Sequence, residues 1–187
     1  MPPCSGKSVA TRGHARLDRL AAGHEKSLVR LRRALAEPKR AIDVFGALFA
    51  RPIEGSDLLG MLAQARQRGV YEHLEQGDIA AYLASTDRSY DLVAAADVFT
   101  YVGALDDVFA GVARVLQADG LFGFAVEAAD DAPDGFVLRP SLRYAHARGY
   151  LEALAQRHGF GVRSLQRQPI REDQRTTIDA WYGVLSR

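Results

Sequence analysis

The chain has 187 residues, 48% of them apolar and 25% charged, which is the balance of a folded globular domain and not of a disordered segment. A formal net charge of +1 and a single cysteine, Cys4, exclude a strong polyelectrolyte and an intrachain disulfide framework, and a lone thiol suits a reducing, cytoplasmic setting. No run of about 18 apolar residues occurs and no apolar segment follows the early basic residues, so neither a membrane-spanning helix nor a secretory signal is expected.

The charge is uneven along the chain. Residues 1–40 hold ten Lys/Arg against three Asp/Glu, while residues 41–187 hold fourteen against twenty. This divides the chain into a basic, partly helical N-terminal arm (1–40) and an acidic main domain (41–187). The arm lacks interleaved aromatics and any nucleic-acid motif, so a solvated arm is expected and a nucleic-acid partner is not.

Residues 1–13, with Pro2, Pro3, Gly6 and Gly13, read as a leader. Gly6-Lys7-Ser8 has the ending of a phosphate-binding loop but neither the earlier glycine nor a preceding strand, and is set aside. Leu17, Leu20, Ala21, Leu28, Leu31 and Leu35 recur at helical spacing, and Pro38 stops the pattern. Residues 41–45 form a short strand candidate and 53–57 a weaker one. A helix over 61–68 ends at Gly69. Gly77-Asp78-Ile79 reads as a strand end, and 80–84 as a helical turn.

The run Leu92-Val93-Ala94-Ala95-Ala96 is nearly continuous in apolar residues, as in a strand covered on both faces. Leu105, Val108, Phe109, Val112 and Leu116 then mark one helical face, with Asp106 and Asp107 in the first turn, where carboxylates complement the helix dipole. Asp119-Gly120 ends that helix and residues 121–126 form the next strand. A polar loop over 128–135 and a helical face of Tyr150, Leu151, Leu154 and Ala155, closed by Gly159, follow. Residues 160–168 and 180–185 read as two final strands joined by a charged loop over 171–179. They lie too close for a helical crossover, so they are expected to be antiparallel. The whole predicts an α/β domain with a Rossmann-like sheet, mostly parallel, with an antiparallel strand near one edge.

Several strings resemble, in order, the conserved blocks of class I S-adenosylmethionine-dependent methyltransferases: Gly55-Ser56-Asp57-Leu58-Leu59-Gly60, Gln76-Gly77-Asp78-Ile79, the stretch 90–101, and Leu116-Gln117-Ala118-Asp119-Gly120. Arg68-Gly69-Val70-Tyr71, Ala95-Ala96-Asp97-Val98 and Arg143-Tyr144-Ala145-His146 are similar to strings of predicted bacterial methyltransferases often attached to tetratricopeptide repeats, although no repeat of about 34 residues is visible. The resemblance implies S-adenosylmethionine as methyl donor and an unidentified small-molecule acceptor. It puts Asp57 and its neighbour Leu58 at the ribose, Asp78 at the adenine amine, Ile79 on the adenine ring, and Asp97 beside the methyl-transfer site. Tyr101, Tyr144 and His146 become candidates for the acceptor pocket. Each has a plainer alternative: helix capping for Asp57 and Asp97, turn formation for Asp78, and a structural histidine for His146. The five histidines and Cys4 show no metal-like spacing, and no metal is expected.

The chain also departs from the family. Where the family has an acid followed by a Gly-x-Gly-x-Gly loop and a helix, Asp43 is followed by Val44-Phe45-Gly46-Ala47, with one glycine. Only residues 46–52 separate Phe45 from Ile53, whereas a parallel crossover with its helix takes at least about ten to twelve. The first βαβ unit thus reads as truncated. A second reading follows: a degenerate, non-catalytic module of the same fold, or the product of a damaged gene. A nicotinamide-dependent oxidoreductase fits less well, because its Gly-rich fingerprint is equally missing.

Overall fold

The apolar run expected at 121–126 is the middle of a longer strand on which the sheet is organised. A computed structural model describes residues 66–67, 74, 77–96, 98–173 and 175–187. The strand and helix candidates at 15–35, 41–45 and 53–57, the residues Asp57, Leu58 and Asp97, and most of 61–68 lie outside the described residues.

In chain order the described elements are helix α1 (Ile79–Ser85), strand β1 (Tyr90–Ala96), a single 3-10 turn (Phe99–Tyr101), α2 (Asp106–Val115), β2 (Leu116–Ala129), β3 (Phe136–Leu138), β4 (Tyr144–Ala147), α3 (Arg148–Arg157), β5 (Gly161–Asp173) and β6 (Thr176–Ser186). Strand β2 pairs with β1 and β4 in parallel and with β6 antiparallel, while β5–β6 and β3–β4 are antiparallel. The expectation of a mostly parallel sheet is therefore corrected for the described part, which is mixed and mostly antiparallel. The reason is connection length. Helix α2 spans the gap between β1 and β2 and permits a parallel crossover, but β5 and β6 meet at a tight turn around Arg175 (φ 65°) and must run antiparallel.

That turn also corrects the expected charged loop over 171–179, most of which is strand. Pro169 tolerates this because, among the described residues, β5 pairs only with β6 and its ladder is irregular between Pro169 and Arg171. Ile79, expected at a strand end, is the first residue of α1. The β3–β4 hairpin was not expected, and it occupies the chain just beyond the predicted polar loop. Asp119-Gly120, expected to end the helix, lies instead inside β2, because α2 stops at Val115 and the strand starts at Leu116. The pair marks an irregularity where pairing jumps from Tyr90↔Leu116 to Leu92↔Leu121, and Asp119 has φ 65°.

Alternation along β2 sends Phe122, Phe124 and Val126 to one face. There they join Val93 and Ala95 of β1, Phe109 and Val112 of α2, Leu151 and Leu154 of α3, and Leu185 of β6 in one core. Phe109 meets Phe122 edge-on at 5.3 Å and Phe160 at 6.0 Å, a favoured geometry for aromatic pairs. Helix α1 packs on α2, where Arg114 donates to the Leu83 and Thr86 carbonyls. Asp106, at the start of α2, accepts from Arg157 at 2.5 Å and lies 3.2 Å from His158, tying α2 to the end of α3. These two partners hold its carboxyl below the ordinary value. Gly159 (φ 75°) closes α3 as expected.

Gly183 of β6 sits opposite Phe124 of β2, and a methyl at this position would overlap the Phe124 ring. The ring is walled in by Phe99, Phe109 and Phe122 and has nowhere to move. Gly183→Ala is expected to lower stability by about 1–3 kcal/mol, read from chemical unfolding. An unchanged midpoint would show that the ring yields freely.

Candidate functional site

Two strands share one edge of β2. Strand β1 pairs along it as far as Ala96↔Ala125, and from Glu127↔Ala145 onward the same edge belongs to β4. Between these registers the pairing of β1 ends, after Ala96. Parallel strand ends that part in this way open the kind of crevice in which α/β sheets bind ligands. Asp97 itself lies outside the described residues. The 3-10 turn that follows contacts both β2 and β4; Phe99 and Thr100 are buried, and Tyr101 is 38% exposed.

Residues of β3, β4 and α3 close on the loop after that turn. His146 is fully buried on β4, with Nε2 2.9 Å from the Gly103 carbonyl. Its ring stacks at 6.1 Å on Tyr150 and lies 6.1 Å from Phe136. Tyr144 meets Phe136 edge-on at 5.9 Å. A Cβ at Gly103 would stand 2.8 Å from both the Phe136 and Tyr144 rings, so only glycine allows the loop to come this close. The Tyr150 hydroxyl accepts from the Leu105 amide at 2.8 Å, just ahead of α2. Burial raises the Tyr150 pKa, so the group stays a neutral phenol.

Burial also drives the His146 pKa down from 6.5 to about 4, and its backbone hydrogen bonds to Gly103 and Val102 only partly oppose this. At neutral pH the ring is uncharged. Nε2 then carries the proton it donates to Gly103, and Nδ1 is the unprotonated nitrogen, buried and without a hydrogen-bond partner among the described residues. On the other face of the sheet Glu127, buried at the end of β2, is paired with Arg171 of β5. Sequence reasoning did not single out Glu127, Arg171, Gly103 or Tyr150. For Glu127 the available signal was a lone acid directly after an apolar strand run.

Of the residues expected from sequence, Tyr101, Tyr144 and His146 come to the same end of β2. Asp78 and Ile79 lie on a different element, α1. Asp78 is exposed and caps that helix, its Oδ1 accepting from the Ala81 amide at 3.0 Å. Ile79 is buried in the core. Asp57 and Leu58 lie outside the described residues. Among the described residues no group of His, Cys, Asp and Glu is arranged to hold a metal, and no helix is long and apolar enough to cross a membrane.

Residues 44–124 match the family model of a methyltransferase domain. Over this stretch the chain is similar to a methyltransferase domain. The match runs through α1, β1 and α2 into β2, and so includes the strand end where the sheet parts. No curated protein matches the chain in sequence.

Solved structures share the fold. A putative S-adenosylmethionine-dependent methyltransferase from Listeria monocytogenes is 16% identical, with 71% of this chain and 76% of that one covered and a TM-score of 0.53. YcgJ from Bacillus subtilis is 16% identical over 72% of this chain and 79% of its own, with a TM-score of 0.52. TehB from Haemophilus influenzae is 12% identical with a TM-score of 0.53; 71% of this chain is covered but only 47% of TehB. At these identities the likeness is one of fold.

The protein also gains a pH dependence from His146. Above pH 6.5 the ring is neutral in both the folded and the unfolded chain. Between pH 6.5 and 4 the unfolded chain binds a proton that the folded chain refuses, so stability falls as the pH drops. The shift to about 4 corresponds to about 3 kcal/mol. The stability gap between the unaltered protein and His146→Gln should narrow by about that amount from pH 7 to pH 4 in urea unfolding. A gap that does not change with pH would contradict the buried neutral ring.

Proposed function

We propose that the chain is an S-adenosylmethionine-dependent methyltransferase acting on a small-molecule acceptor. The observation that carries this reading is the methyltransferase match across the strand end where β1 leaves β2. Asp57 and Leu58 would hold the ribose of the methyl donor, Asp78 and Ile79 the adenine, and Asp97 would lie beside the transferred methyl. The described part fits an adenosyl group at one point. Asp78 is an exposed acid with one carboxylate oxygen committed to its helix cap, which leaves the other to accept from an exocyclic amine. Ile79 fits less closely, since its side chain is already given over to the core.

When bound, the donor supplies a methyl activated by its sulfonium, so the protein's task is alignment more than acid–base chemistry. Tyr101, the exposed member of the Tyr101, Tyr144 and His146 group, is the side chain placed to touch an acceptor. Tyr144 and His146 hold the wall behind it. The buried neutral His146 fits this supporting part better than direct proton transfer, because Nδ1 has no access to solvent.

A second reading is favoured by one feature. Between Asp43 and Gly55 the chain has a single glycine, Gly46, where the family's cofactor loop has three. A chain that keeps the fold without that loop would be a non-catalytic module or the product of a damaged gene. Calorimetric titration of the full chain with S-adenosylmethionine separates the two. Methyltransferase activity requires binding, expected at micromolar strength and weakened tenfold or more by Asp57→Ala, about 1.4 kcal/mol. No detectable heat at millimolar ligand, from a chain that unfolds cooperatively, would assign it to the non-catalytic reading. Resequencing codons 40–55 would then distinguish a natural loss from a frameshift or deletion.

A further inference from the structure

Among the described residues Glu127 is the only buried carboxylate, 2% exposed. It stands where β2 changes partners: Ala125 makes the last pair with β1, and Glu127 makes the first with β4. Alternation points it away from the face of Phe124 and Val126. The positions beside it on its own face are all alanine. Ala145 of β4 and Ala180 of β6 lie directly across, and Ala125 and Ala129 lie two residues away along β2. The carboxylate therefore rises from a floor of methyl groups at the C-terminal end of the parallel strands, where α/β sheets bind ligands.

Its hydrogen bonding is incomplete. Arg171 Nη2 donates to Oε1, and among the described residues Oε2 accepts no hydrogen bond. A carboxylate can accept several, and buried polar groups are ordinarily satisfied. We infer that Glu127 is a ligand-contacting residue, whose Oε2 accepts a hydrogen bond from a hydroxyl or amide group of a neutral small molecule. Naming that molecule as the methyl acceptor rests on the methyltransferase reading above; the binding site itself does not.

Charge decides the ligand class. An anion would meet the carboxylate, and a cation would meet the guanidinium of Arg171 beside it. The pair carries no net charge, so a neutral donor enters without leaving an uncompensated ion in a buried place. The alanine floor suits the apolar body of such a molecule, while the single carboxylate oxygen fixes its orientation. Arg171 acts here as a positioning residue, since it holds Oε1 and so leaves Oε2 for the ligand. This places a polar contact on the face of the sheet opposite His146 and Tyr144, at the same end of β2.

Ligand-observed NMR titration of the full chain tests the inference with probes of one shape. Benzyl alcohol and benzamide carry a neutral donor; benzyl methyl ether lacks one, benzoate is an anion and benzylammonium a cation. The neutral donors are expected to bind about tenfold tighter than the other three. Equal binding of all five, or binding of none, would overturn the inference and leave Oε2 to a water molecule. Replacing the pair by apolar side chains, Glu127→Met with Arg171→Met, is expected to abolish the preference, whereas Asp131→Asn at an exposed ion pair leaves it unchanged. A preference that survives in the double variant would also overturn it. If that variant does not fold, the probe series on the unaltered chain still decides. Titration with S-adenosylmethionine keeps the two readings apart. Donor binding without a donor preference overturns only this inference, and a preference without donor binding supports the site while removing the methyltransferase reading.

Discussion

Strand β2 has one edge for two parallel partners, and much of the described structure follows from how it divides that edge. Strand β1 holds it up to Ala125 and β4 holds it from Glu127. The chain leaving β1 must therefore turn out of the sheet at the register where β4 enters. That turn is the short 3-10 segment bearing Tyr101, and the loop after it is the one that His146 and Tyr150 hold in place. The opposite edge of β2 belongs to β6, which brings Arg171 of the hairpin to Glu127. A single strand thus positions both the apolar wall and the buried ion pair at the same end of the sheet.

The two sides of that end have different physical characters. Around Gly103 the contacts are rings, a neutral imidazole and a neutral phenol, and no charge has been taken out of water. On the other face a carboxylate and a guanidinium are held together. A pair of this kind loses hydration from both ions and regains it only through close geometry, so it adds little net stability compared with apolar packing. What the pair does impose is a defined position for the β5–β6 hairpin relative to the end of β2. The aromatic core behind Phe122 and Phe124 keeps the strand itself in place.

The legibility of the elements followed their periodicity. Helix α2 was readable because Leu105, Val108, Phe109 and Val112 repeat at helical spacing, and all four are buried. The central strands were readable because both faces are covered and their apolar runs are nearly unbroken. The β3–β4 hairpin was not, since strands of three and four residues offer no period and Arg139, Pro140 and Ser141 between them look like loop. The extension of β5 and β6 was hidden for a related reason. Its edge residues are polar, and the turn at Arg175 carries a left-handed backbone that no glycine announced. In the candidate site, Tyr144 and His146 were noticed as part of a string, but Tyr150 was read only as one face of a helix. Glu127 passed unnoticed beyond the expected end of its strand.

The sequence by itself determined the α/β class, the order of the central elements and the antiparallel run of the last two strands. Each of these follows from local apolar spacing or from connection length, which the linear chain contains. Tertiary structure alone decided which partner β2 takes at each register, and therefore where the sheet parts. It also decided that His146 is neutral and that Glu127 is paired with Arg171. Those outcomes depend on burial and on contacts between residues far apart in the chain, such as His146 with Gly103 or Arg171 with Glu127, and no local pattern encodes them.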